Sequence, residues 1–297
     1  MELNSYDPPK KRLKAFSANS DAGRNRSPDI PCEDRTRVVL KWPGSQTDYI
    51  HANYVATPIS DKRFICTQGP LKCTIVDFWH MVIQEECENV IMLCNVQEGG
   101  MDTCAQYWPL ANEKKTYDDV EVVNISVESI EFESTILKSK LTICWTEDEK
   151  PKQREVCHYQ LTNWPDHGVP SSFMPFMKLL VNSGVCKSDK RIIVHGSAGV
   201  GRTGSLVAVQ FILERYKRVD LNGRIMKKVH CEDMSKLLKT LRNQRLCSIQ
   251  TESQYLFIHG AILFYILQKH SFFGEIPRDL EAEMKKFIKD YYKAFDS

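Results

Sequence analysis

The chain has 297 residues, of which 42% are hydrophobic, and a formal net charge of +2, so it has enough apolar material for one large core and no strong field that favours nucleic acid or a membrane surface. Its eleven cysteines form no Cys-x-x-Cys pair, which argues against a secreted disulfide framework and a zinc site and favours the reducing cytoplasm. No stretch approaches the roughly 18 apolar residues of a membrane span, and residues 1–12 lack the apolar core of a signal peptide.

The first predicted elements follow a polar lead-in over residues 1–22, which we expect to be flexible. Residues 74–86 predict a helix, because apolar side chains recur on one face and Thr74 with the acidic residue three positions later is typical of a capping box. Residues 90–94 predict a short buried strand. Residues 137–145 alternate apolar and polar side chains, which predicts a strand with one face in water.

The second half begins with a strand predicted over residues 192–194, followed by a loop and a helix with one apolar face. Further helices are predicted over residues 234–241 and after Thr251, which is placed as a cap. The tail after Pro277 has apolar residues at helical spacing, and we expect it to pack on the domain, with docking of a partner as the alternative. The interleaved strands and helices predict an α/β (α+β) fold: a highly twisted mixed sheet flanked by helices on both sides.

The segment over residues 195–205, HGSAGVGRTGS, predicts a phosphate cradle between the strand and the helix. Its small residues let backbone N–H groups turn toward one point, and the helix adds the positive end of its dipole. Arg202 offers a planar guanidinium that holds two phosphate oxygens at once. The predicted phosphate-binding residues are Ser197, Ala198, Gly199, Val200, Gly201 and Arg202.

This segment resembles the signature loop of the protein tyrosine phosphatases, His-Cys-Ser-Ala-Gly-x-Gly-Arg-[Ser/Thr]-Gly, with Gly196 at the position of the catalytic cysteine. The resemblance implies a mechanism in which the cysteine thiolate attacks phosphorus and forms a phosphocysteine. Glycine has no side chain, and removing the nucleophile of a concerted catalytic unit costs on the order of a millionfold in rate. We therefore predict no catalytic nucleophile in this chain, which would make it a pseudoenzyme.

The resemblance extends over most of the chain. Residues 164–170, WPDHGVP, resemble the family's mobile loop that carries the general acid, and residues 250–255, QTESQY, resemble the loop that positions the hydrolytic water. Scaffold motifs appear in the family's usual order at residues 48–53, 67–71, 77–79 and 106–109. The resemblance implies a phosphatase-like domain over residues 23–270 and a C-terminal helical extension over residues 271–297.

By this resemblance Asp166 holds the general-acid position and Gln250 the water-positioning one, although both assist a step that Gly196 cannot start. Asp29 matches the residue that fixes the substrate backbone, so Asp29 and Gln250 are the expected substrate contacts. The resemblance implies neither a metal nor an organic cofactor. Its implied partners are phosphotyrosine-containing proteins.

Two departures from the family pattern concern the same site. The family motif Lys-Asn-Arg-Tyr appears as RNRS at residues 24–27, so Ser27 replaces the tyrosine that stacks on the phosphotyrosine ring. Thr103 replaces a lysine that faces the active site in the family. Correlated losses favour natural divergence over a single introduced change at Gly196.

The sequence leaves three functions open. The first is a pseudophosphatase that binds phosphotyrosyl proteins without hydrolysis, and so shields the phosphate or competes with active phosphatases in signalling. The second is an interaction domain with a vestigial pocket, in which another surface such as the C-terminal helix recruits a partner. The third is an active phosphatase, if Gly196 is an introduced change or another nucleophile acts.

A chain of this size without a receptor segment or targeting module also resembles the phosphatase-like proteins that insect-associated polydnaviruses deliver into host cells, some of which lack the catalytic cysteine. That resemblance implies a protein of the host-cell cytoplasm that interferes with host signalling. No pattern in the sequence determines the oligomeric state.

Overall fold

The structure is a computed structural model, and it describes residues 10–45, 47–130, 133–183, 185–186, 189–220, 234–270 and 276–295. The strands within those residues are, in chain order, β1 (Arg37–Val39), β2 (Tyr49–Thr57), β3 (Ser60–Thr67), β4 (Asn89–Met92), β5 (Gln97–Glu98), β6 (Met101–Asp102), β7 (Lys114–Tyr117), β8 (Val120–Ile130), β9 (Glu133–Glu147), β10 (Lys150–Leu161) and β11 (Ile192–His195). The short strands β5 and β6 form a separate hairpin, and the other strands form one sheet.

The sheet is mixed, with a parallel centre and antiparallel flanks. Its strand order is β1-β2-β3-β11-β4-β10-β9-β8-β7. β11 runs parallel to β3 and β4, and β4 runs parallel to β10, whereas the other neighbours are antiparallel. Every residue of β4 and β11 is buried, as expected of central parallel strands that are covered on both faces.

Helices cover both faces of this sheet. They are α1 (Lys14–Ala18), α2 (Ile75–Gln84), α3 (Phe173–Met177), α4 (Gly201–Asp220), α5 (Met234–Arg242), α6 (Glu252–His270) and α7 (Arg278–Phe295). Successive side chains of β11 point to opposite faces: Ile193 packs in one core cluster with residues of α2, and Ile192 and Val194 pack in another with residues of α3 to α7. The predicted fold class, a mixed sheet flanked by helices on both sides, is confirmed.

The predicted elements are present, with shifts of a few residues at their ends. α2, β4, β9, β11, α5 and α6 lie where the residue patterns predicted them. Thr251 does cap α6, since its Oγ1 accepts from Gln254 N at 3.2 Å. Thr74 does hold the N-cap position of α2, but the capping box predicted there was wrong, because the Thr74 Oγ1 accepts from Leu71 N at 2.9 Å. The hydroxyl serves the preceding turn, over Lys72–Thr74, and makes no capping bond to α2.

The C-terminal helix α7 packs on the domain, as its apolar spacing predicted. Met284 and Tyr291 are buried. The ring of Tyr291 lies 4.7 Å from that of Phe173 between centroids, and Phe173 N donates to the Tyr292 hydroxyl at 3.5 Å. The helix therefore contacts α3, the element that follows the Asp166 loop in the chain.

The lead-in predicted over residues 1–22 lies partly outside the described residues. From residue 10 onward it contains a 3-10 turn, Lys10–Arg12, and α1. The predicted boundaries at residues 22 and 270 stay predictions. Within the part of the chain that the structure describes, the helices are all too short or too polar to cross a bilayer.

Candidate functional site

The predicted phosphate cradle connects β11 to α4. β11 ends at His195, and α4 begins at Gly201. In the loop between them, Gly199 has a φ of 70°, and a Cβ built there would lie 1.9 Å from the carbonyl oxygen of Thr67. Only glycine fits this left-handed conformation and this close approach. The shape of the loop therefore depends on Gly199.

Hydrogen bonds from outside the loop orient its peptide groups. Gly69 N donates to Ser197 O at 2.8 Å, Arg245 Nη2 to Ala198 O at 3.0 Å, Arg245 Nε to Gly199 O at 3.1 Å and Ile249 N to Val200 O at 3.0 Å. In a planar trans peptide, the N–H of the next residue points away from the carbonyl. The amides of residues 198–201 therefore face the inside of the loop, an arrangement that suits an anion.

Arg202 is buried beside this loop and is held by two carboxylates. Its Nη1 donates to Glu98 Oε1 at 2.7 Å and its Nη2 to Glu98 Oε2 at 2.9 Å, which makes a bidentate pair. Nη2 also donates to Asp166 Oδ1 at 3.0 Å. Burial by itself lowers the pKa of Arg202, but the hydrogen bonds to Glu98 and the nearby negative charge outweigh it and hold the pKa above its ordinary value. Arg202 is a permanent, oriented cation.

The segment that carries Asp166 is folded onto Arg202. Arg202 Nη1 donates to the carbonyl of Trp164 at 2.8 Å, and the Trp164 indole donates to Gly168 O at 3.0 Å. The side chain of Asp166 is 39% exposed, so its carboxyl group reaches both solvent and Arg202. The structure thus brings the predicted general-acid position and the predicted phosphate-binding arginine into contact.

Gln250 lies against the first residue of α4, because a Cβ built on Gly201 would lie 2.5 Å from Gln250 Oε1. The turn before it is strained: Cys247 and Ile249 have φ values of 61° and 62°, which non-glycine residues adopt rarely. Arg242 holds that turn by donating to Ile249 O at 2.8 Å. Strain of this kind concentrates at functional sites.

Gly196 is buried, and its φ lies outside the left-handed region. A Cβ built there would lie 3.4 Å from Arg202 Nε, 3.7 Å from Arg202 Cβ and 3.9 Å from Thr203 Oγ1. These are ordinary van der Waals distances. The fold therefore leaves room for a Cβ at residue 196, and its backbone does not require glycine there.

A chain of hydrogen bonds supports Gly196 from the opposite face of the sheet. His195 Nδ1 donates to Gly196 O at 3.1 Å, and its Nε2 bonds the Tyr107 hydroxyl at 2.7 Å. That hydroxyl also bonds His158 Nε2 at 2.8 Å. Burial lowers the pKa of His158 to about 3, so His158 is neutral, with one ring nitrogen as donor and the other as acceptor.

The remaining predicted positions lie at the edge of the site. Asp29 is exposed, and its backbone N donates to Ser27 Oγ at 3.2 Å. Arg26 anchors this segment by donating to Gly69 O at 2.9 Å. Asp29 itself makes no hydrogen bond to the loop within the described ranges. Thr103 is buried, and its hydroxyl donates to Asn95 O at 2.6 Å, so it serves the backbone of the neighbouring hairpin.

Sequence reasoning missed Glu98, Arg245 and Thr203. Glu98 lies 104 residues before Arg202 in the chain, and no spacing rule connects the two. Arg245 holds the loop from outside and is 1% exposed, yet it lies in a stretch with no motif. Thr203 was visible only as the second residue of a helix. Such partners become apparent once the chain is folded.

The arrangement suits an oxyanion rather than a metal cation. The groups that face inward, the amides of residues 198–201 and the guanidinium of Arg202, are donors without a lone pair to offer. Among the residues that the structure describes, no group of three or more His, Cys, Asp or Glu side chains is placed to hold a metal ion.

Comparisons with known proteins agree with this geometry. A family model described as protein-tyrosine phosphatase matches residues 21–264. The chain is 37% identical over 257 residues to a tyrosine-protein phosphatase Lar-like of Caenorhabditis elegans, which covers 83% of this chain and 11% of that protein. It is 34% identical over 260 residues to human tyrosine-protein phosphatase non-receptor type 9, which covers 81% of this chain and 41% of that protein. The chain spans less than half the length of these curated relatives.

Solved structures show the same fold. The catalytic domain of human protein tyrosine phosphatase non-receptor type 18 matches with a TM-score of 0.73 and 27% sequence identity, covering 83% of this chain and 86% of that one. A structure of the type 18 phosphatase in complex with HER2 phosphopeptides matches with a TM-score of 0.72 and the same identity, covering 83% of this chain and 90% of that one.

Proposed function

Because the chain belongs to the protein-tyrosine phosphatase family, we propose that it binds phosphotyrosyl proteins without hydrolysing them. One observation carries the proposal. The carbonyls of residues 197–200 are held from outside the loop, which turns the amides of residues 198–201 inward beside Arg202, whereas Gly196 has no side chain. Binding of the oxyanion and cleavage of its ester depend on different atoms, and only the atom for cleavage is missing.

Cleavage in this family needs a sulfur that attacks phosphorus, and the remaining groups do not replace it. Asp166 would protonate the tyrosyl oxygen and Gln250 would orient a water, but both act around an intermediate that requires the nucleophile. Ser197 has an unactivated hydroxyl, which is a weak nucleophile. Loss of the nucleophile in a comparable catalytic unit lowers the rate on the order of a millionfold.

Binding does not depend on the sulfur. A thiolate and a phosphate dianion repel each other, by roughly 4 kcal/mol for two unit charges about 4 Å apart at an effective dielectric near 20. The absence of a thiolate at residue 196 relieves that repulsion. Arg202 is already oriented by Glu98 and Trp164. To hold a phosphate with two N–H groups it would use its Nε edge and release Asp166 from Nη2.

The expected ligand class is supported by the relatives, which are named as tyrosine-protein phosphatases, and by the phosphopeptide complex of the type 18 phosphatase. A protein that holds such ligands without turnover would shield the phosphate or compete with active phosphatases. Phosphotyrosyl proteins of this kind would be met in the cytoplasm. The role in an infected host cell, implied by the resemblance to viral phosphatase-like proteins, stays a prediction.

A binding titration tests this function. We expect a phosphotyrosyl peptide to bind at least about tenfold more tightly than its unphosphorylated copy, a difference of about 1.4 kcal/mol. The mass of the phosphotyrosyl peptide should be unchanged after incubation with the protein. The matched variant is Arg202→Lys, which keeps the positive charge and loses the bidentate fork. It should abolish most of the preference for the phosphorylated peptide. Equal affinity of the original chain for both peptides would refute the proposal.

The alternative, an interaction domain with a vestigial pocket, is favoured by Ser27 and Thr103. The hydroxyl of Thr103 serves the Asn95 carbonyl, so this position supplies no charge to an anion. The packing of α7 on α3 occupies the apolar face of that helix and therefore argues for another docking surface. Under this alternative, Arg202→Lys would leave the amount of protein partner captured in a pulldown unchanged.

A further inference from the structure

Two cysteines are in contact at the base of the hairpin that carries Glu98. Cys94 lies two residues after β4, and Cys104 lies two residues after β6. Both are buried, with 0% and 1% of their surface exposed, and their thiols hydrogen-bond to each other. The cysteines that the structure describes are all free. The fold therefore places two thiols side by side where the hairpin over residues 97–102, here called the Glu98 hairpin, begins and ends.

The residues just inside the two cysteines take part in the clamp on Arg202. Asn95 N donates to Glu98 Oε1 at 3.0 Å, and the same oxygen accepts from Arg202 Nη1 at 2.7 Å. At the other end of the segment, the Thr103 hydroxyl donates to Asn95 O at 2.6 Å. A bond between the two sulfurs would close a ring around these residues, and so around the carboxylate that orients Arg202.

Cys94 is the more reactive of the two thiols. The hydrogen bond from Cys104 lowers the pKa of Cys94 against the effect of burial, and the positive charge of Arg202 acts in the same direction. Burial and the neighbouring Cys94 raise the pKa of Cys104. A thiolate beside a second thiol is the arrangement in which one sulfur is oxidised and the other resolves the product into a disulfide.

The Glu98 hairpin is the part of this region that opens most easily. Its strands β5 and β6 have two residues each, and Met101 near its tip is 71% exposed. A short hairpin with little buried surface is marginally stable by itself and opens locally. Hydrogen peroxide is small and uncharged, so such an opening admits it to the buried Cys94.

We infer that Cys94 and Cys104 form a reversible disulfide when the protein meets a peroxide, and that this bond fixes the Glu98 hairpin against Arg202. Formation of the bond is independent of the proposed function, because it concerns the two sulfurs alone. Its effect on phosphate binding rests on that function. Disulfides in reducing compartments are usually transient and redox-sensing, and a dithiol would reverse this one by exchange.

The reaction uses hydrogen peroxide as its oxidant. The Cys94 thiolate attacks one peroxide oxygen, the O–O bond breaks, and the hydroxide that leaves takes a proton from solvent. The Cys104 sulfur then attacks the sulfenic acid on Cys94. The S–S bond forms as the S–O bond breaks, and the departing hydroxide takes the Cys104 proton. Both sulfurs are oxidised, and the peroxide is reduced to water.

The disulfide changes the anion site in two ways that have the same direction. It restricts opening of the hairpin, because a covalent ring removes conformations that the open segment would otherwise adopt, so Glu98 keeps Arg202 oriented. It also removes the negative charge of the Cys94 thiolate, which acts on Arg202 and opposes a phosphate dianion. Both changes favour the binding of a phosphate.

The first test is peptide mapping of the intact chain after treatment with hydrogen peroxide and blocking of the remaining thiols. We expect a linked pair of peptides that contains Cys94 and Cys104 and that disappears after addition of dithiothreitol. In Cys104→Ala, we expect Cys94 to be trapped by dimedone as the sulfenic acid. Cys87→Ala is the matched control, because Cys87 is buried in the same core cluster, and it should leave the linked pair unchanged. Recovery of Cys94 and Cys104 as free thiols in the original chain would overturn the inference.

The second test measures the hairpin and separates this inference from the proposed function. In hydrogen–deuterium exchange, we expect the amides of residues 95–103 to exchange at least about tenfold more slowly in the oxidised chain than in the reduced one. Equal exchange in both forms would show that the bond does not fix the hairpin, and would refute that part. Isothermal titration should show severalfold tighter binding of a phosphotyrosyl peptide by the oxidised chain. Equal affinity of the two forms would refute the effect on phosphate binding. If the bond forms and exchange slows but neither form binds the peptide, the disulfide is supported and the proposed function fails by itself.

Discussion

Two glycines that lie three residues apart in one loop are under opposite constraints. At Gly199 the backbone is left-handed, and a Cβ would overlap the carbonyl of Thr67 at 1.9 Å. At Gly196 the backbone is not left-handed, and a Cβ would meet nothing closer than 3.4 Å. The fold therefore demands the first glycine and tolerates the second. Sterics therefore require Gly199, which shapes the loop and so orients its amides. They do not require the glycine at residue 196, which leaves the chain without a nucleophile.

The same contrast holds for the surroundings of the two positions. Around residues 197–200 the carbonyls are satisfied by Gly69, Arg245 and Ile249. Around residue 196 the hydroxyl of Thr203 has no partner among the described residues. The carbonyls of the loop are thus paired, whereas a buried hydroxyl beside residue 196 has no partner among the described residues.

The largest expected effect is a gain of turnover in Gly196→Cys. The new thiol would lie near Thr203 and the N-terminus of α4, which favour the thiolate. Since loss of the nucleophile costs up to about a millionfold in comparable enzymes, we expect phosphotyrosyl-peptide hydrolysis to rise at least about a thousandfold. Release of inorganic phosphate measures it.

Gly196→Ser is the matched control, because its hydroxyl has a similar position and is a much weaker nucleophile. If Gly196→Cys stays as inactive as Gly196→Ser, residue 196 is not the only obstacle to catalysis. It would mean that the site has diverged beyond residue 196, with Ser27 and Thr103 as the first positions to restore.

The second effect is on stability. Gly199→Ala should lower the free energy of unfolding by more than about 2 kcal/mol, since it combines a left-handed φ with overlap against fixed backbone. Gly196→Ala should change it by less than about 1 kcal/mol, in the stabilising direction, because alanine reduces the freedom of the unfolded chain. Urea unfolding of the two variants measures the difference, and equal losses would show that both glycines are required.

The third effect is on affinity. Asp166→Asn removes a negative charge that bonds Arg202 Nη2 at 3.0 Å and that repels a phosphate dianion. We expect phosphotyrosyl-peptide binding to tighten about tenfold at neutral pH, a gain of about 1.4 kcal/mol, which is modest because the carboxylate is partly in solvent. Asp148→Asn, in the turn between β9 and β10, is the matched control and should leave affinity unchanged. Isothermal titration measures both, and weaker binding in Asp166→Asn would show that the carboxylate positions the arginine more than it repels the ligand.

The smallest effect is a pH dependence of the free energy of unfolding, which comes from the contact between His51 and Arg245. His51 Nδ1 accepts from Arg245 Nη2 at 3.1 Å, and its Nε2–H donates to Ile30 O at 2.8 Å. Burial and then the charge of Arg245 lower the pKa of His51 from 6.5 to about 3. The neutral form is thus the native one. Its contribution to stability is present above pH 6.5 and is lost as the pH falls toward 3, because only the unfolded state binds the proton in that range.

Between pH 6 and 5 this single histidine should reduce the free energy of unfolding by about 1 kcal/mol. Urea unfolding at the two pH values measures the change. His51→Gln, whose amide can both donate and accept, should make the pH dependence shallower by about that amount. An unchanged slope would mean that His51 does not hold Arg245 in its neutral form.

Local patterns in the sequence were sufficient for the elements and for part of the site. Alternation and helical spacing located β9, α2 and α5, since one-sided burial leaves a period in the sequence, whereas a short apolar run located β11. The small residues and Arg202 of the loop were recognisable because anion cradles need close backbone approach. The capping box predicted at Thr74 was wrong, because a hydroxyl near a helix start has several acceptable partners and only the folded turn selects one.

The sequence by itself determined the fold class, the position of the loop and the identity of residue 196, because each is written in consecutive or periodic residues. Only the tertiary structure decided that Glu98 clamps Arg202, that Arg245 turns the loop carbonyls outward and that the Thr203 hydroxyl lies beside residue 196. These contacts join residues that are distant in the chain or depend on side-chain direction. Their geometry follows from packing of the whole domain, which no local pattern records.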